Sequence, residues 1–221
     1  MSRYLLGRQA LDRTDASHVP PVFEAAFCGF GLALAIRTDN GPPFASAGAG
    51  GLSQLAVWRI KLGVKPDRID PGKPQQNGGH QRIHRTLKGE TAAPPAATLA
   101  EQQRRFDAFR ALYNQERPHE ALDFATPSAL YRASQTTYPR PVREPDHADG
   151  VAVRRVRSTG EIKWAGELIF VGEALIGEPV GVEESEDGEG LVRDPDVELG
   201  FVDKSGWPRQ RKLPKPQQPA L

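Results

Sequence analysis

One cysteine, Cys28, stands in 221 residues, which excludes a disulfide framework and suits a reducing cytoplasm. No apolar run approaches the roughly 20 residues that a membrane span requires. The opening Met1-Ser2-Arg3-Tyr4 begins no signal peptide, because a charged, strand-like segment follows at once. The chain is therefore expected in the cytoplasm and off the membrane. Net charge is also nearly absent, at +1, but it is unevenly spread. Arg59, Lys61, Lys65, Arg68, Lys73, Arg82, Arg85 and Lys88 face only Asp67, Asp70 and Glu90 over residues 59–90, whereas residues 183–203 are acidic apart from Arg193. The basic stretch suits a phosphate contact, since Lys and Arg displace condensed counterions. Charge alone favours an ordinary solvated face.

What is present is enough for a core. A 38% hydrophobic content supports one sizeable core and a smaller second one, so one or two domains are expected. The 22 glycines and 20 prolines assign much of the rest to turns, linkers and a tail. Residues 2–10 (SRYLLGRQA) read as a strand. Residues 15–30 carry Val19, Val22, Phe23, Ala26 and Phe27 at helical spacing, with Pro20 and Pro21 tolerated in the first turn. Residues 32–36 are a short buried strand closed by Asp39. Residues 52–62, 77–90 and 98–115 are helices, and residues 64–70 are extended. Strand and helix alternating before position 70 indicate an α/β core. Beyond residues 136–150, a Pro-rich linker, five short strands within residues 151–203 predict a small all-β barrel able to fold alone. Residues 204–221, rich in Lys, Gln and Pro, are expected to be a disordered tail.

Phosphoryl transfer by two metals needs clustered carboxylates, which hold two divalent cations a few ångströms apart. Asp39, at the end of a buried strand and turned away by Asn40-Gly41, is placed for such a role. As an isolated tetrapeptide, Thr38-Asp39-Asn40-Gly41 is equally a turn. Asp12 and Asp15 follow the first strand, where N-capping explains them. His80 and His84 stand four apart on one helix face, without cysteines or a third ligand nearby, and suit a phosphate or packing beside Arg85 better than zinc.

The neighbours of Asp39 form an ordered set: IRTDNGPPF, GGLSQLAVWRIKLGV, PGKPQQNG, a basic helix ending RTLKGE, and FRALYNQERPHEALDFATPSALY. Each is weak alone, but together they resemble the catalytic core of bacterial insertion-sequence transposases of the DDE, integrase-core type. The resemblance covers residues 1–135. It implies an RNase H-like α/β fold in which two Asp and one Glu bind Mg²⁺ and drive DNA strand transfer. Asp39 matches the second acid, and hence a metal ligand, while Gln81 occupies the place of the Glu. The first Asp has no match. In the family it lies on a strand upstream of a segment like residues 2–10, so the core is expected to be incomplete at its N-terminus, a truncated remnant.

The resemblance further implies that the helix holding Gln81 runs along DNA, which makes Lys73, Asn77, His80, Arg82, Arg85 and Lys88 candidate contacts. Arg154, Arg155 and Arg157, on the strands around Trp164, are similar to the basic face of the small β-barrel in one subgroup. A barrel with Trp164 in its core is the other account. Asn114, Arg117, Pro118 and His119 read as structural, because Asn and Pro there stop a helix. The implied function is transposase or integrase-type DNA recombination with impaired catalysis. The alternative is a DNA-binding protein or regulator without catalysis. DNA is the expected partner, with self-association or an intact transposase besides and no small-molecule substrate. A poorly folded product is a third reading.

Overall fold

The computed structural model describes residues 2–13, 16–46, 51–70, 72–142, 144, 146–184, 190–194, 197–202 and 208–209. Packing divides the chain into two units, Met1–Pro43 with Val64–Arg140, and Phe44–Gly63 with Pro141–Leu221. Among the described residues no helix is long and apolar enough to cross a membrane.

In the first unit, helix α1 (Val19–Phe30) follows a 3-10 turn at Ala16–His18. Pro20 sits in its first turn, where no intrahelical N–H is required. The helix stops at Gly31, whose φ of 76° suits glycine and whose absent Cβ leaves room for the Ser134 carbonyl. Strand β1 (Ala35–Thr38) pairs in parallel with β2 (Lys65–Arg68) in the register Ala35↔Lys65 to Thr38↔Arg68. The paired Arg37 and Asp67 side chains meet at 2.8 Å. The buried strand expected at residues 32–36 is thus shifted toward Asp39 and largely uncovered, with Leu34 87% exposed. A strand is buried on both faces only where layers cover both, and β1 has a single partner among the described strands.

Residues 2–10 do not form the expected strand. They run beside helix α4 (Leu99–Gln115), and amide side chains on that helix replace a neighbouring strand. Asn114 accepts the Leu5 N–H at 2.9 Å and donates to the Leu5 carbonyl at 3.0 Å. Gln103 accepts the Ala10 N–H at 2.8 Å and donates to the Arg8 carbonyl at 3.0 Å, and Arg110 donates to the Leu6 carbonyl at 3.0 Å. Asn114 is buried, so its removal strands two backbone groups as well as losing its own bonds. Asn114→Ala is expected to cost about 2 kcal/mol, read by denaturant unfolding followed in the far-ultraviolet circular dichroism.

Helix α3 (Gly78–Thr91) buries Leu87 against Phe109 and Tyr113 of α4, with Leu5, Ile83 and Phe106 packed around them. Thr98 caps α4 by accepting the Glu101 N–H at 3.2 Å. Arg117 binds Glu90 at 2.7 Å and lies over the Phe109 ring, so the segment after α4 is clamped to the end of α3. A short helix, α5 (Pro127–Leu130), follows.

In the second unit, helix α2 (Gln54–Lys61), capped by Ser53, packs among C-terminal strands rather than with the α/β segment. Leu52, Ala56, Val57 and Ile60 share one core with Val156, Ile162, Ile169, Val171, Leu175, Val180, Val182, Val192 and Leu199. The strands are β3 (Ala152–Arg155), β4 (Glu161–Trp164), β5 (Glu167–Phe170), β6 (Pro179–Glu184), β7 (Gly190–Asp194), β8 (Val197–Val202) and β9 (Pro208–Arg209). Ala165 and Gly166, both at positive φ, turn the β4–β5 hairpin. No closed barrel forms among the described residues. The antiparallel sheet runs β3-β6-β7-β8-β9, and β4-β5 stands as its own pair. Strand β7 lies inside what reads as an acidic run. Most of the expected tail falls outside the described residues, as do Asp15 and residues 185–189.

Candidate nucleic-acid interface and catalytic position

Helix α3 begins after a 3-10 turn at Pro74–Asn77 that is held from both sides. Asp70 accepts Lys73 Nζ at 2.9 Å and Gln76 Nε2 at 3.2 Å, while its N–H donates to Gln76 Oε1. Lys73 is thereby tied to an acid. Asn40 donates to the Ile69 carbonyl at 2.9 Å, so the turn after Asp39 is anchored to the exit of β2. Asn77 stands at the N-terminal boundary of α3 without a side-chain cap bond.

At 3.6 residues per turn, Gln81, Arg85 and Lys88 fall on one stripe of α3, with Arg82 beside it and Ile83 and Leu87 opposite. Gln81, Arg82, Arg85 and Lys88 are exposed. None of the three cations forms an ion pair among the described residues. A neutral amide thus stands inside a row of unneutralised cations. His80 and His84 lie with parallel rings 6.5 Å apart. Burial, then the like charges of Arg8 and His84, hold the His80 imidazole below the usual histidine range, and Asp39 pulls the other way. Through this coupling the Asp39 carboxylate acts on the first turn of α3.

Asp39 is exposed and its Oδ1 accepts the Gly41 N–H at 3.3 Å, an Asx-type turn. Among the described residues no three His, Cys, Asp or Glu side chains come together as a group able to hold a metal ion. Asp39 as a carboxylate and Gln81 as a neutral amide do not meet the charge demand of two divalent cations. These residues of the chain do not make a Mg²⁺ centre by themselves.

In the second unit, Arg155 is bound to both Glu144 oxygens at 3.0 and 3.1 Å and to the Gly177 carbonyl. It serves as a brace. Arg154 donates to the Val153 carbonyl at 2.9 Å and lies over the Trp164 ring at 5.9 Å, while Trp164 packs on the core. Arg157 and Lys163 are exposed. The basic strand residues are thus divided between structural contacts and open surface, and Trp164 is committed to packing. The anchoring role of Asn114 and the cavity-lining Arg8 are invisible to motif reading, because their partners lie far away in sequence.

Residues 62–127 match the family model of the integrase core domain. An uncharacterized 31.7 kDa protein of insertion element IS407 from Burkholderia multivorans is 32% identical over 112 residues, covering 50% of this chain and 38% of that protein. An uncharacterized 39.2 kDa protein of insertion element IS476 from Xanthomonas euvesicatoria is 30% identical over 125 residues, 55% of this chain and 34% of that protein. The chain therefore spans little more than a third of the length of these relatives. A chain in the simian T-cell lymphotropic virus intasome bound to PP2A regulatory subunit B56 gamma shows a TM-score of 0.45 at 17% identity, over 82% of this chain and 59% of that one. The mixed helices and parallel strand pair are consistent with an RNase H-like α/β fold, and integrase core domains of the DDE type generally use a divalent metal. Residues 62–127 thus resemble an integrase core domain, and the stretches of 112 and 125 residues aligned with the two insertion-element proteins point the same way.

Proposed function

We propose that the chain acts in transposase or integrase-type DNA recombination, gripping duplex DNA by the exposed face of α3. The observation that carries this reading is the row Arg82, Arg85 and Lys88, solvent-facing and without acid partners among the described residues. It lies in the integrase core match. Arg157 and Lys163 add cationic surface on the second unit; Lys73 and Arg155, each tied to an acid, contribute less. The lack of a carboxylate cluster among the described residues favours one variant of the reading, in which this chain binds DNA but does not cut it.

Phosphate contacts release counterions, so affinity should fall steeply with salt, by about 0.9 log units per log unit of salt for each contact. The measurement is titration of a labelled duplex at several ionic strengths. Replacing Arg82, Arg85 and Lys88 together by Ala should weaken binding and flatten the slope by about two to three units. Binding indifferent to salt, or unchanged in the triple variant, would reject α3 as the DNA face.

A further inference from the structure

A cavity of about 880 Å³ lies in the first unit between residues 4–11, α1 and the first turns of α3. Its size is within the range of small-molecule sites. Tyr4, Phe23 and Phe30 line its apolar part. Tyr4 is held in place by stacking on Tyr131 at 4.2 Å and by the edge of Phe30 at 6.1 Å.

The charge in the cavity is not balanced. Its one acid among the described residues, Asp107, accepts from Gln103 Nε2 at 3.1 Å and faces Arg110 at 4.0 Å. Arg8 also lines the cavity, and its Nε is shut off from water with no hydrogen-bond partner. Arg8 faces the like charge of His80, also on the cavity wall. A guanidinium on an otherwise largely apolar wall attracts an anion. Aromatic rings and a cation lining one cavity suit a flat base carrying a phosphate.

We propose that this cavity accepts one unpaired nucleotide, with its phosphate at Arg8 and its base against Tyr4 and Phe30. Two sources offer that chemistry: the unpaired end of a DNA strand, which rests on the DNA-binding reading above, and a free nucleotide, which does not. The test compares labelled blunt duplex, the same duplex with a short thymidine overhang, and one with an abasic overhang of equal length, alongside competition by free thymidine monophosphate.

The thymidine overhang is expected to tighten binding about five- to tenfold, with the abasic overhang giving no such gain. Arg8→Ala should remove that gain and leave blunt-duplex affinity unchanged. Ala26→Phe, which fills the cavity from α1, should do the same if Arg8→Ala fails to fold. Competition by thymidine monophosphate without an overhang effect would assign the site to free nucleotides. Equal tightening by the abasic overhang, or neither an overhang effect nor competition, overturns the proposal. Loss of blunt-duplex binding alone would reject the α3 interface while leaving the nucleotide competition readable.

Discussion

Expressed without residues 44–63, the segment 141–221 is expected to lose its cooperative thermal transition. Sequence pattern alone assigns residues 151–203 to an independent barrel, but packing draws Leu52, Ala56, Val57 and Ile60 into the centre of that unit. Burying a Val, Leu or Ile side chain contributes about 1.5–3 kcal/mol, so removing three of them and an alanine forfeits roughly 5–9 kcal/mol. Whole domains are stable by only about 5–15 kcal/mol, and a small unit falls toward the low end. The apolar term therefore decides the outcome. Lys61 and Glu178, paired at 2.8 Å with both side chains mostly covered, would also be broken, adding a smaller loss. Within the full chain, Ile60→Ala should cost about 2–5 kcal/mol. Trp58 and Trp164 both belong to this unit, so tryptophan fluorescence during denaturation reads it directly. A sharp, two-state melt of the 141–221 segment by itself would show that α2 is an accessory and the strands suffice.

What the sequence disclosed and what it hid follow from where each partner lies. Helices α1, α3 and α4 are legible because their apolar spacing is local, and Thr98 and Ser53 cap α4 and α2 with hydroxyls that any reader of the chain can place. Strands β4 and β6 and the Ala165-Gly166 turn are legible for the same reason. Residues 2–10 were misleading because strand propensity describes a half-buried extended chain without naming its partner. Here the partner is a pair of helical amides, Asn114 and Gln103, about a hundred residues away. The placement of α2 was equally hidden. An apolar helix face announces burial, not the layer that buries it. Strand β7 is hard to read from sequence because charged neighbours mask Leu191 and Val192, of which Val192 is a core residue. At the site, the exposed cations of α3 are legible from helical periodicity, whereas the coupling of Asp39 to His80 needed the fold.

The unmodified chain is expected to show no Mg²⁺- or Mn²⁺-dependent nicking or strand transfer on a labelled insertion-end duplex, even where it binds that duplex. Two divalent cations about 4 Å apart repel by roughly 17 kcal/mol at an effective dielectric of about 20, and clustered carboxylates are what normally offset that term. Among the described residues no three such side chains gather, and beside Asp39 the sequence offers at Gln81 an amide with an oxygen but no charge. Gln81→Glu supplies a second acid on the exposed stripe of α3, still short of three, and is expected to remain inactive. The same substitution places a negative charge among Arg82, Arg85 and Lys88, so it should also weaken duplex binding modestly and in a salt-dependent way. That separates a folded, inactive variant from a misfolded one. An acid supplied on a strand beside β1, together with Gln81→Glu, brings the carboxylates to three and is the combination expected to show activity. Nicking by the unmodified chain that disappears in Asp39→Ala would show the opposite: that a different acid, such as Asp12 or Glu90, completes the centre when DNA is bound.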